Sequence, residues 1–253
     1  MYQRELELAI RAAKAAGEIL KKRENIFIDS ADGKDLKLST DKESERVIID
    51  ILRKESAHPV LSEECGSIGT EDQSGYRWIV DPLDGTVNYY KNIPELSCVS
   101  IALWNGDAPV LGVINRYAAD ELYWGVTGNG GYCNGIRIAP AQTENIKDAV
   151  IATGFPTCRD YSAESLHPFL RTVQRFKKVR MLGAAAIMGV FVAAGKVDAY
   201  YEDHIMLWDI AAAAAIVTAA GGAVQIQRME NNMCICKLFA NQALMEDFYA
   251  AGL

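Results

Sequence analysis

The sequence predicts an α+β layered sandwich, on three observations. Its N-terminal stretch carries apolar residues at helical spacing. A central run of segments is β-branched, aromatic or alternating and is broken by Gly, Asn and Asp, as neighbouring antiparallel strands would be. Later, short strand candidates are interleaved with helices built from small residues. Strands and helices mix without strict βαβ alternation, which disfavours a Rossmann arrangement.

Leu6, Ala9, Ile10, Ala13, Ala16 and Leu20 give an amphipathic surface helix running to about Arg23. A polar stretch from Asp29 to Lys37 follows, and Thr40 or Asp41 then caps a helix with Val47, Ile48, Ile51 and Leu52 on one face. Pro59-Val60-Leu61 is a short strand ending at Ser62-Glu63-Glu64. After the turn-rich segment from Gly66 to Gly75, a second strand runs into Asp81. Cys98 to Trp104, Ala108 to Asn115 and Glu121 to Val126 are the mainly antiparallel strands. A turn from Gly128 to Gly131, a strand from Val150 to Thr153 and a helix from Leu166 to Phe176 come next. Strands from Val179 to Leu182 and from Ala199 to Glu202 flank a small-residue helix, Ala184 to Ala194. Trp208-Asp209 opens an alanine-rich helix that Gly221-Gly222 ends. With no repeat or long linker, residues 1–253 are expected to form one domain of two fused α/β halves, joined near 145–180.

A formal net charge of -7 argues against general nucleic-acid binding, since no basic excess exists to neutralise phosphates. A phosphorylated small molecule stays open, because bound cations can reverse the local sign. Arg4, Glu5, Glu7, Arg11 and Lys14 interrupt any signal-peptide core. The run from Ile210 to Val224 is too short and too weakly hydrophobic for a membrane span. A cytoplasmic protein without a membrane partner is expected. The six cysteines include no CxxC pair, and His58, His167 and His204 lack zinc-ligand spacing. Cys234 and Cys236 are read as strand cysteines pointing to opposite faces, and free thiols fit a reducing compartment.

The chemistry concentrates in WIVDPLDGTVN, Trp78 to Asn88. An apolar strand delivers Asp81 and Asp84, and a Gly85-Thr86 step follows. Carboxylate oxygens suit Mg²⁺, which takes its remaining oxygens from water and substrate phosphate. Backbone amides at a turn into a helix suit the phosphate. Asp41, Glu63, Glu64, Glu202 and Asp209 also sit at element ends, where side chains can converge on one cavity. Each has a plainer role: Asp41 and Asp209 as N-caps, Glu63-Glu64 as a solvated turn, Asp81-Pro82 and Asp84-Gly85 as turn residues. The joint pattern has little packing reason to be so specific.

The chain resembles the inositol monophosphatase family of Mg²⁺-dependent, lithium-sensitive sugar-phosphate phosphatases. The resemblance rests on WIVDPLDGTVN, on Trp208-Asp209-Ile210-Ala211 running through to Ala220-Gly221-Gly222, on Ser62-Glu63-Glu64, and on the turn from Gly128 to Gly135. It implies a layered αβαβα sandwich of the sugar-phosphatase type with mixed and antiparallel sheets, and two or three Mg²⁺ ions per active site. It assigns metal binding to Glu63, Asp81, the Leu83 carbonyl, Asp84 and Asp209, and phosphate binding to the amides of Gly85 and Thr86. Asp41 would accept from the Thr86 hydroxyl, and together they would orient and help deprotonate the metal-bound water, with Glu63 as a further catalytic residue. Asp84, Gly183, Ala185, Glu202 and Asp209 would contact substrate. Phosphoryl transfer is mostly positioning and charge stabilisation, so no side-chain nucleophile is required.

Ser62 stands where the family usually has Gly, and Lys34 and Lys37 are both candidates for the family's lysine, neither at its spacing. The substrate implied is a small polyol or sugar phosphate, with inositol 1-phosphate first. Val87-Asn88-Tyr89 departs from the Lys-Glu-Phe of the branch cleaving 3′-phosphoadenosine 5′-phosphate. That ester, histidinol phosphate and fructose 1,6-bisphosphate are the alternatives. Relatives are commonly homodimers, and Phe155-Pro156 and Met181-Leu182 are candidate contact regions. A regulatory, partner-binding protein on the same fold is the competing class.

Overall fold

In the computed structural model, which describes residues 2–24, 26–32, 35–70, 74–250 and 252, helices and sheets alternate in five layers. The chain begins with α1 (Gln3–Lys22), whose buried Leu6, Ala9, Ala13, Ala16 and Leu20 recur at the spacing of one helical face. A hairpin of β1 (Ile28–Asp32) and β2 (Asp35–Leu38) leads into α2 (Ser39–Glu55). Then come β3 (Val60–Ser62), β4 (Gly66–Ile68), β5 (Tyr76–Asp84), the short helix α3 (Thr86–Tyr90), β6 (Cys98–Asn105), β7 (Ala108–Arg116), β8 (Glu121–Val126), β9 (Gly130–Cys133) and β10 (Ile136–Ile138). The second half comprises β11 (Val150–Thr153), α4 (Ala163–Val173), β12 (Lys178–Arg180), α5 (Ala185–Ala193), β13 (Ala199–Met206), α6 (Leu207–Ala220), β14 (Ala223–Arg228), β15 (Met233–Phe239) and α7 (Gln242–Ala250).

Strands β3 to β10 form an eight-stranded sheet in the order β10-β9-β8-β7-β6-β5-β3-β4, antiparallel except for β3 against β5. The five-stranded sheet runs β12-β11-β13-β15-β14, with β11 parallel to both its neighbours. Helices α1 and α2 cover one face of the large sheet, and α5 and α6 fill the space between the sheets. The outer face of the small sheet is covered by α4 and α7, through Phe169, Val173, Leu244 and Phe248. The expected αβαβα order of mixed and antiparallel sheets is the one observed.

Small residues let α6 approach the large sheet closely. Ala211 to Ala215 are wholly buried, and a Cβ on Gly112 would lie 2.3 Å from the Ala212 carbonyl oxygen. Neither backbone can yield without disturbing its layer. Gly112→Ala is therefore expected to cost about 1–3 kcal/mol through overpacking, read as a lower midpoint in urea unfolding.

Several expectations need correction. The polar stretch from Asp29 to Lys37 contributes to a hairpin, anchored by Leu36 and Leu38 on the apolar core. The segment after Glu64 contributes β4. Helix α2 starts at Ser39, so neither Thr40 nor Asp41 is its N-cap; Asp41 stands two residues inside it. Strand β13 continues beyond Glu202 to Met206, and α4 begins and ends three residues earlier than Leu166 and Phe176 imply. Cys234 and Cys236 share one face of β15 and are both fully buried, as a two-residue separation on a strand requires. No helix among the described residues is long and apolar enough to cross a membrane.

Candidate active site

A cavity of about 350 Å³ opens where the sheets meet the N-terminal ends of α3, α5 and α6. The residues around it come from six separate parts of the chain, and two β-bulges aim two of those parts. In a regular strand, residues three apart face opposite sides. Along β5, Asp81 pairs with Ser100 but Asp84 with Cys98, so three steps on one strand match two on the other. That bulge brings Asp81 and Asp84 to the same cavity. Pro82 sits inside it, where a missing N–H removes no ladder bond, and the Ser44 hydroxyl of α2 holds its carbonyl at 2.8 Å. The same three-for-two count recurs in β13 between Glu202 and Ile205.

Asp84 is fixed from two directions. Its Oδ1 accepts from the Ala185 amide at 3.2 Å and its Oδ2 from the Ala186 amide at 2.8 Å, so it sits at the N-terminal end of α5. Asp81 Oδ1 accepts from the Leu83 amide at 2.9 Å. Asp41 and Asp209 occupy equivalent places at the third residue of their helices. Asp41 Oδ2 accepts from the Leu38 amide at 2.8 Å, and Asp209 is held in the same way by the Met206 amide. Both acids therefore serve helix starts, although neither is the N-cap itself.

Gly85 has φ 82°, and a Cβ there would lie 2.5 Å from the Leu96 carbonyl oxygen, so only glycine makes this turn. Gly154 has a related role: a Cβ would meet Glu202 Oε1 at 2.6 Å. Asn88, at the end of the sequence motif, donates from Nδ2 to the carbonyls of Leu96 (2.9 Å) and Leu182 (2.8 Å), tying α3 to the segment ahead of α5.

Glu63, Asp81, Leu83, Asp84, Gly85, Thr86, Gly183, Ala185, Glu202 and Asp209 all line the cavity. Asp41 does not; it is buried behind it. The expected Thr86–Asp41 hydrogen bond is replaced by one from the Thr86 hydroxyl to the Leu83 carbonyl, at 2.9 Å. Thr86 Oγ1 reaches that carbonyl within its own turn, and Asp41 Oδ1 is left buried without a hydrogen-bond partner. Of the two candidate lysines, Lys37 lines the cavity and donates to Glu64 Oε1 at 2.9 Å, whereas Lys34 lies outside the described residues. Sequence reasoning missed the segment from Gly154 to Cys158 and His204, which also line it. The Gly-Phe-Pro step after a strand was the available signal for the first.

Electrostatics set these acids apart from surface carboxylates. Burial, followed by repulsion from Glu63, Asp84 and Asp209, pushes Asp81 well above the usual carboxylate range. Burial and then Glu63, Asp84 and Glu202 do the same to Asp209. Glu63 is pushed up to about 8 by burial and the neighbouring Glu64. Asp84 rises only to about 6, because the Ala186 and Ala185 amides oppose its burial. Burial and Asp84 raise Glu202 to about 8.

Among the described residues, no three acids, histidines or cysteines already close on one point as a ligand set. The donor chemistry still fits a hard divalent cation. Four carboxylates, two from β5, one after β3 and one from α6, resist ionisation together, and the lysine beside them is bonded to Glu64.

The comparisons agree with this architecture. A chain from Aquifex aeolicus, described as fructose-1,6-bisphosphatase/inositol-1-monophosphatase, is 38% identical over 226 residues, covering 86% of this chain and 83% of the relative. A protein of Pasteurella multocida described as Nus factor SuhB is 35% identical over 229 residues, covering 87% and 84%. The solved inositol monophosphatase from Anabaena superposes with a TM-score of 0.85 at 30% identity, over 99% of this chain and 96% of that one. With a model of the family matching residues 1–242 as well, the chain belongs to the inositol monophosphatase family.

Proposed function

We propose that this protein is a Mg²⁺-dependent phosphomonoesterase acting on a small polyol or sugar phosphate, with inositol 1-phosphate the first candidate. The observation that carries the reading is the convergence of Glu63, Asp81, Asp84 and Asp209 on one cavity beside the Gly85-Thr86 turn. Glu63, Asp81, the Leu83 carbonyl, Asp84 and Asp209 would hold two or three Mg²⁺ ions, with Li⁺ as an inhibitor. Bound Mg²⁺ supplies charge neutralisation on the phosphate and a more acidic water. The amides of Gly85 and Thr86 hold the phosphate, and Glu63 and Thr86 face the attacking water with Asp41 behind them. Glu202 accepts from hydroxyls of the leaving alcohol, while Asp84, Asp209 and the backbone at Gly183 and Ala185 border the same alcohol.

The reading is tested by kcat/KM on inositol 1-phosphate, histidinol phosphate, fructose 1,6-bisphosphate and 3′-phosphoadenosine 5′-phosphate. Glu202→Gln is expected to lower kcat/KM for the preferred polyol ester by about tenfold, the loss of one hydrogen bond to a charged acceptor. An unchanged preference across the four esters would remove the proposed role of Glu202 in binding the alcohol. We further propose a cytoplasmic homodimer of single-domain chains, each of two fused halves joined within 145–180. Phe155 and Met181, about half exposed, contribute to the contact. A regulatory, partner-binding role is the second reading, supported by relatives described as Nus factors.

A further inference from the structure

His204 lies on the β13 bulge, two residues after Glu202, and its backbone adopts φ 58°. That left-handed region suits glycine, and a histidine, one of the few other residues that enters it, carries a modest conformational cost there. Packing does not repay the strain. The side chain is 35% exposed, and Nδ1 is buried without a hydrogen-bond partner, 3.8 Å from Asp203 Oδ1.

Asp203 is itself fixed. It is ion-paired with Arg159, and its Oδ2 accepts from the Tyr201 hydroxyl at 3.3 Å. The Arg159 side chain is almost wholly buried, and its guanidinium stacks 4.3 Å from the centre of the Phe169 ring. Arg159 directly follows the cavity-lining segment from Gly154 to Cys158, so the bulge is pinned to the segment that leaves the neighbouring strand β11. His204 lines the cavity together with Glu202. Nδ1 is covered whereas Nε2 is not a buried atom, so Nε2 is the polar atom of the ring left accessible. Strain of this kind is retained where the surroundings over-determine it, and it clusters at ligand-binding positions.

We propose that His204 is a specificity-determining residue, whose Nε2 accepts a hydrogen bond from one hydroxyl of the leaving alcohol while Glu202 accepts from the adjacent hydroxyl. Two acceptors side by side select esters of vicinal diols. The inference rests on the phosphatase reading above and extends it to the geometry of the alcohol.

The test is His204→Gly, assayed with Mg²⁺ on inositol 1-phosphate and on p-nitrophenyl phosphate, whose leaving group has no vicinal diol, alongside thermal melts. The variant is expected to lose about tenfold in kcat/KM on inositol 1-phosphate, mainly through KM. Activity on p-nitrophenyl phosphate should stay within about twofold, and the melting temperature should hold or rise as the strain is released. Equal losses on both esters, a lowered melting temperature, or no loss on inositol 1-phosphate would each overturn the inference. If the wild type cleaved neither ester, the phosphatase reading itself would fall, an outcome distinct from those three.

Discussion

Asp84→Asn is expected to lower turnover by about 100-fold or more, with a smaller effect on folding. The substitution removes the charge but keeps the size. In the native site, both carboxylate oxygens are occupied by amides, Oδ1 by Ala185 and Oδ2 by Ala186. Asparagine can turn only its carbonyl oxygen to one of them, so the other amide faces an NH₂ group. One buried donor left unpaired costs about 1–3 kcal/mol, a loss visible in a melt but compatible with a folded enzyme. The catalytic loss is larger, because the remaining acids would no longer supply a full set of anionic oxygens. A rise in the Mg²⁺ concentration needed for half-maximal activity should accompany it. Near-wild-type turnover in the variant would sink the two-metal assignment, and partner binding that survived lost turnover would favour the regulatory role for that interaction.

Much of this site was legible because one stretch of sequence carries both its chemistry and its geometry. Asp81, Asp84, Gly85 and Thr86 are adjacent in the chain and adjacent in the cavity. Pro82 between the two acids was already a sign that the strand could not continue regularly. Glu63 and Asp209 needed the whole motif set, since either alone reads as a turn or a helix start. The bonding of Asp41 was not legible. Whether Thr86 donates to Asp41 or to Leu83 depends on how closely α2 approaches β5, which is set by tertiary contacts such as Ser44 to Pro82. His204 was missed for a similar reason, since its φ follows from a bulge that forms only against β15. In the fold, long helices with a single apolar stripe and the alternating central strands announced themselves. The β1–β2 hairpin did not, because its strands are short and mostly polar, with little periodic signal.

Metal-free protein should become less stable as pH rises from 5 to 8, and Mg²⁺ should raise the melting temperature more at pH 8 than at pH 5. The sign follows from proton counting. Glu63, Asp84 and Asp41, with folded values of about 8, 6 and 7, keep protons that the unfolded chain releases near its ordinary carboxylate range. Asp81 and Asp209 are shifted the same way by burial and by one another's neighbours. Between the unfolded and folded values the native state binds more protons, so raising the pH favours unfolding. The stability is fully present below the unfolded values and is lost progressively toward about 8, the folded value of Glu63. Mg²⁺ competes with those protons for the same oxygens, so its binding strengthens as they leave and its contribution to native stability grows with pH. Melts of chelator-treated protein at pH 5, 6, 7 and 8, with and without saturating Mg²⁺, read both trends. Stability that rose with pH in the metal-free protein, or a Mg²⁺-induced shift independent of pH, would show that these carboxylates do not share a cation.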